Sequence, residues 1–178
     1  MAHRAHNRIT KIKYSHGIKL VSHNDMESVL VQHLYNIAKE PLEEKSRFID
    51  HFTQYIPQLV TKEDNHNLSR PVSKEEVSEV INEMQSGKAP GPDGFDVDFF
   101  KAYWETVKHD ILEVVEDSRR SNKVLKALNA SFIALIPNQE NAMTPDGFWP
   151  IALCNVVYKI ISKVIANRLK PLLPSLIS

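Results

Sequence analysis

Residues 25–38 place Met26, Val29, Leu30, His33, Leu34 and Ile37 at steps of three and four, the spacing of one helical face. Asn24 or Asp25 stands where a cap for that helix belongs. Upstream, RITKIKYSHGIKLV (8–21) alternates loosely around Ser15-His16-Gly17, which predicts a hairpin with glycine at its turn. A second helix is expected from Pro41, a residue suited to a first turn, through Phe48, Ile49, Phe52 and Ile56 to Pro57. Thr61–Pro71 (TKEDNHNLSRP) is polar and aperiodic and reads as a linker. Beyond it, Ser73 and Glu76 make an S-x-x-E capping box ahead of Val77, Val80, Ile81 and Met84, and Gly87 supplies a C-terminal stop.

SGKAPGPDGF (86–95) holds three glycines and two prolines in ten residues, which excludes helix and strand interiors and leaves a shaped loop. Helical spacing returns over 96–121 through Phe100, Trp104, Val107, Ile111 and Val114. Two short apolar runs, Ser131–Ile136 and Phe148–Leu153, are bounded by prolines and a glycine and read as strands joined by a polar loop. A last helix, 155–170, is expected to bury Val157, Ile160, Ile161, Val164 and Leu169. Lys159, Lys163, Asn167 and Lys170 then line its other side. The predicted architecture is α+β and mostly helical: hairpin, four or more helices, two strands, helix.

At 178 residues the chain suffices for one domain, or one domain and an extension. A lone cysteine, Cys154, excludes a disulfide framework and fits a reducing compartment. No apolar run approaches the roughly 18 residues a membrane span needs, and the first residues lack a signal-peptide core. The expectation is an intracellular protein with no membrane partner, nucleus and cytoplasm both remaining open and the oligomeric state unknown. Zero net charge hides an asymmetry. Arg4, Arg8, Lys11, Lys13 and Lys19 precede the first acid, and Lys159, Lys163, Arg168 and Lys170 follow the last. The 22 acidic residues therefore face only 13 basic ones across the middle, which carries −9. Basic ends around an acidic middle fit nucleic acid at both ends, and fit the ordinary scatter of charge in short segments equally well.

Neither G-x-x-x-x-G-K-[ST] nor G-x-G-x-x-G occurs, which argues against nucleotide binding by those loops. The eight histidines lack Cys/His ligand spacing, and there is no G-x-S-x-G elbow and no identifiable partner for a Cys154 nucleophile. Asp93, Asp96 and Asp98 look at first like a cation site. Asp93 sits in a Pro-Asp-Gly turn, however, and Asp96 where a helix cap belongs, so structural duty is the better reading. Two features rise above background. Lys88 lies among Gly87, Gly91 and Gly94, where exposed backbone N–H groups and a cation can approach a phosphate backbone. The other is the basic face of the last helix, although a lysine stripe is usually a solvated face.

Taken together, SGKAPGPDGF (86–95), the run Phe99-Phe100 followed by Trp104, LNASFIALIPN (128–138) and FWPIALCNVVYKIISKVIANRLKPLLPSLIS (148–178) resemble the reverse transcriptase of plant LINE-type (non-LTR) retrotransposons. NRITKIKYSHG, EPLEEKSRFIDHF and LSRPVSKEEV are similar to the segment those polyproteins carry between endonuclease and polymerase. The resemblance implies that residues 1–70 are that upstream segment. It makes 71–178 the N-terminal part of the reverse transcriptase domain, with the fingers and the start of the palm. The implied fold is a partial right-hand polymerase whose KAPGPDG loop and strand pair cover an RNA or DNA template–primer. In the family, two divalent metal ions (Mg), held by palm aspartates about 4 Å apart, carry out nucleotidyl transfer. By the resemblance those aspartates lie beyond Ser178, and the chain has no Asp-Asp pair, so no catalytic residue, metal ligand or cofactor is expected in it.

Two positions depart from the family's pattern. Trp149 stands where the family's F-R-P-I carries an arginine toward the nucleotide phosphates, and Asn138 where a lysine commonly follows L-I-P. At about 1.5–3 kcal/mol per charged hydrogen bond, losing both cations would cost several kcal/mol of triphosphate binding. The expected function is that of a truncated, inactive remnant of an RNA-directed DNA polymerase. It would retain at most weak nucleic-acid binding through Lys88, Gly91, Gly94, Lys159, Lys163, Arg168 and Lys170. The alternative is a domesticated, non-catalytic protein-interaction module built on the helices of 25–121. Without a palm to cover them, apolar faces on 148–173 are expected to stay open and leave the chain marginally stable.

Overall fold

The computed structural model describes residues 9–14, 17–39, 49, 51, 53, 57 and 59–177. The chain divides into two compact units, Met1–Pro57 with Ala134–Ile151, and Gln58–Ile133 with Ala152–Ser178. Its class is α+β and mostly helical, with two small two-stranded sheets.

In the first unit β1 (Ile12–Tyr14) pairs antiparallel with β2 (Ile18–Leu20), with Ile12 opposite Leu20, Lys13 opposite Lys19 and Tyr14 opposite Ile18. Gly17 takes φ +82° at the turn, which any side chain would resist; Ser15 and His16 lie outside the described residues. Helix α1 (His23–Ala38) starts earlier than its apolar spacing predicts, because Ser22 holds the extended cap position without a side-chain cap bond. Asn24 and Asp25 therefore sit in the first turn and cap nothing, although the charge of Asp25 still opposes the helix dipole. Met26 is buried and Val29, Leu30, His33 and Leu34 are half-buried, but Ile37 is exposed, so the apolar face runs out before the helix does. The helix expected from Pro41, with Phe48, Phe52 and Ile56, falls outside the described residues apart from a few positions such as Ile49.

In the second unit the segment read as a linker is a helix, α2 (Lys62–Ser69). The Thr61 hydroxyl accepts from Asp64 N–H at 3.1 Å while the Asp64 carboxylate accepts from Thr61 N–H at 2.9 Å, a reciprocal capping box. Helix α3 (Lys74–Glu83) has Ser73 as its cap, the Ser73 hydroxyl accepting from Glu76 N–H at 3.2 Å. It ends at Glu83, four residues before Gly87, with Met84 as C-cap, so Gly87 (φ +71°) shapes the loop and does not stop the helix. The helical spacing over 96–121 resolves into α4 (Val97–Ala102) and α5 (Trp104–Ser121), broken at Tyr103 (φ −107°, ψ 20°). Asn122 closes α5 in the left-handed region at φ +53°. Helices α6 (Val156–Leu169) and α7 (Leu173–Leu176) complete the unit.

The core of this unit joins Val72, Val77, Val80 and Ile81 to Val97 and Phe100, to Ile111 and Val115, and to Val156, Val157, Ile160, Ile161 and Val164. All but Phe100 are β-branched, with stiff χ1 angles, so little rotamer freedom is lost when they are buried. Each contributes about 1.5–3 kcal/mol of transfer free energy. On α5 Ile111, Val115 and Ser118 are buried, while Val107 and Val114 are half-buried. On α6 the stripe ends at Val164, and Leu169, expected inside, is exposed.

Strands β3 (Ser131–Pro137) and β4 (Phe148–Cys154) form the second sheet. Ser131 Oγ lies 3.1 Å from Cys154 Sγ, and Asn138 N–H donates to the Gly147 carbonyl at 2.9 Å. Among the described residues no helix is long and apolar enough to cross a membrane.

Candidate nucleic-acid interface

The loop between α3 and α4 is shaped by its own polar groups. Gly94 N–H donates to the Gly91 carbonyl at 3.1 Å and Phe95 N–H to Asp93 Oδ1 at 3.1 Å, a tight turn around Pro92-Asp93. Asp96 Oδ1 accepts from Phe99 N–H at 2.9 Å and caps α4, and Asp98 Oδ2 accepts from Gly87 N–H at 2.9 Å. Each aspartate of the apparent cation site is thus bonded to a backbone amide. The hydroxyl of Ser86, with the Gly87 amide, holds the Asp98 carboxyl below its ordinary range.

The loop docks on Asn155, a residue that no sequence pattern singled out. Asn155 is 3% exposed, and its Oδ1 accepts from Asp93 N–H at 3.2 Å. Its Nδ2 donates to the carbonyls of Ala127 at 3.0 Å and Leu128 at 3.3 Å. It precedes α6 without capping it, because both ends of the amide are engaged elsewhere. Gly91 is buried against it: a Cβ there would lie 2.5 Å from Asn155 N and 2.6 Å from the Cys154 carbonyl carbon. Only glycine permits that approach. The amides of Asp93, Gly94 and Phe95 are turned to internal acceptors, while Lys88 is exposed on this loop. Gly94, at φ +80°, supplies the turn.

On α6 the basic residues divide. Arg168, its side chain 9% exposed, faces Glu76 with a planar fork: Nε donates to Oε1 at 2.7 Å and Nη2 to Oε2 at 2.8 Å. It also donates to the carbonyls of Leu68 at 3.0 Å, Arg70 at 2.7 Å and Pro71 at 3.1 Å, satisfying the carboxyl end of α2. Arg119 adds a bond to the Ser69 carbonyl at 3.0 Å while pairing with Glu116, which in turn accepts from Val72 N–H. These contacts explain why a segment with almost no apolar residue is helical. The Arg168 guanidinium holds the Glu76 carboxyl below its ordinary range, and Arg119 does the same to Glu116. Lys163 pairs with Glu83 at 2.9 Å, and Asn167 donates to the same carboxylate at 3.2 Å. Lys159 is half-buried and Lys170 exposed, and among the described residues neither forms an ion pair.

In the first unit Asn138 closes the β3–β4 connection, its side-chain amide donating to the Asp146 carbonyl at 3.1 Å. Trp149 is 63% exposed, an uncharged ring on the surface of β4.

No family model matches the chain. The sequence is similar to a transposon protein. Over 119 residues, 67% of this chain, it is 26% identical to the transposon TX1 uncharacterized 149 kDa protein of Xenopus laevis. The chain spans 9% of the length of that protein. The similarity supports a transposon-derived origin for the sequence.

Proposed function

We propose that the chain is the upstream and fingers portion of a LINE-type retrotransposon reverse transcriptase, without nucleotidyl transfer of its own. What it retains is weak, sequence-independent binding of a template–primer backbone through Lys88, Lys159 and Lys170. The observation that carries this reading is the division among the basic residues. Lys163 and Arg168 are engaged by Glu83 and Glu76, whereas Lys88 and Lys170 are exposed and, among the described residues, form no ion pair. The similarity to a transposon protein supports the same origin. Fluorescence anisotropy with a labelled primer–template tests it. Affinity should fall as salt rises, and K88Q/K159Q/K170Q should flatten that dependence by about 0.7–0.9 in log–log slope per lysine. Binding that is absent at low salt or indifferent to salt would refute the reading, as would template-directed incorporation of deoxynucleotides by the chain alone.

A second reading, a domesticated protein-interaction module, draws on α1, where Val31, Tyr35 and Ile37 are 58%, 61% and 65% exposed. A pull-down with the full chain tests it. A specific partner lost on Tyr35→Asp supports the module, and no specific partner counts against it.

A further inference from the structure

We propose that the β1–β2 ribbon is a second, separate nucleic-acid site, at which Lys11, Lys13 and Lys19 hold the phosphate backbone of a nucleic-acid strand. Ile12 is fully buried, so its neighbours Lys11 and Lys13 lie on the opposite face of the ribbon. Lys19 stands directly across from Lys13 in the antiparallel register and shares that face. All three are exposed. Directly opposed like charges, with Cβ atoms about 5 Å apart, destabilise a strand pair. A ribbon with three residues in each strand has little stability to give up.

Nothing described in the protein relieves that repulsion. Among the described residues no ion pair involves Lys11, Lys13 or Lys19, and no acid occurs before Asp25. Glu140 lines the same depression of about 360 Å³ as Lys11, together with Gln139 and Asn141, yet does not pair with it. An anion seated between the lysines turns the repulsion into attraction. Three cations on one face suit a repeating anion better than a single small one, and a nucleic-acid strand supplies one phosphate per roughly 3.4 Å. That regular phosphate spacing favours a nucleic-acid strand over an acidic protein or a lipid surface.

This ribbon belongs to the first compact unit, whereas Lys88, Lys159 and Lys170 belong to the second. The inference therefore goes beyond the proposed function and does not depend on it. The test is the salt dependence of binding to a labelled single-stranded RNA by the full chain. Variants K13Q/K19Q, K19E and K88Q/K159Q/K170Q are measured beside it.

For K13Q/K19Q the log–log slope should drop by about 1.4. Between 50 and 200 mM salt, wild-type affinity should then fall about sevenfold more than that of the double variant. K19E sets an acid opposite Lys13 and should unfold at the same or higher urea concentration while binding weakens, which separates charge from folding. An unchanged slope in K13Q/K19Q overturns the proposal, as does binding to anionic-lipid vesicles with none to RNA. If only K88Q/K159Q/K170Q flattens the slope, the ribbon is wrong and the earlier reading stands. If only K13Q/K19Q flattens it, the reverse holds.

Discussion

Replacing Arg168 with alanine removes five hydrogen bonds in one step, two to Glu76 and one each to the carbonyls of Leu68, Arg70 and Pro71. The Glu76 side chain is only 13% exposed, so its carboxylate is left with Arg70 at 3.4 Å as its remaining cation. Breaking one side of a poorly solvated pair typically costs about 3–5 kcal/mol. The Arg70 and Pro71 carbonyls are at the surface and rehydrate, so they add little. The loss is a large share of the about 5–15 kcal/mol that holds an ordinary domain together. Lysine at 168 keeps the charge but cannot reach both Glu76 oxygens and three carbonyls from one planar group, so Arg168→Lys should recover only part. Urea unfolding followed by far-ultraviolet circular dichroism measures both variants, and amide exchange over 62–71 reports whether α2 opens first. A loss below about 1 kcal/mol for Arg168→Ala, with unchanged protection of α2, would refute the assignment of Arg168 as the anchor of that helix.

Gly91→Ala should destabilise by about 1–3 kcal/mol or more, because its Cβ meets backbone atoms that have no room to move. At Gly94 only φ is demanding, so Gly94→Asn should be tolerated where Gly91→Asn is not, a contrast that urea midpoints resolve. Asn155→Ala should cost about 1–3 kcal/mol through the unpaired groups it leaves at Asp93, Ala127 and Leu128. Asn155→Asp, which turns an oxygen toward two carbonyls, should cost at least as much at neutral pH in the same assay. The depressed carboxyls of Glu76 and Glu116 contribute stability that is fully present above the ordinary glutamate value of 4.5 and lost as pH falls through their folded values. Glu76→Gln should therefore flatten the acid limb of a stability–pH curve, and an unaltered limb would exclude Glu76 as a source of it.

Elements whose stripe is buried within the same unit were legible in the sequence. Val77, Val80 and Ile81 on α3 and Val157, Ile160, Ile161 and Val164 on α6 carry their own period and their own reason to fold. The roles of Asp93 and Asp96 were legible too, since turns and caps are local. Helix α2 was not. Thr61 and Asp64 carry a capping pattern, but its carboxyl end depends on Arg168 and Arg119, far along the chain, and leaves no local period. The break at Tyr103 was hidden for the opposite reason, because the apolar spacing continues on both sides of one altered residue. Within the site, the exposure of Lys88 follows from its loop. The pairing of Arg168 with Glu76 spans 92 residues and that of Asn167 with Glu83 spans 84, so a stripe of cations on a helical wheel did not distinguish anchors from free charges. Asn155, one amide between a strand and a helix, had no spacing to betray it.

The anchoring of α2 also sets an order in time. Arg168 reaches the carbonyls of Leu68, Arg70 and Pro71 across 100, 98 and 97 residues of chain. A ribosome adding about 5–20 residues per second needs about 5–20 s to cross that gap. Throughout that interval the Thr61–Asp64 box holds the front of a helix whose rear carbonyls still lack their Arg168 donors. Synthesis thus leaves 62–71 without its Arg168 bonds, and open to proteases and chaperones, until the last helix emerges.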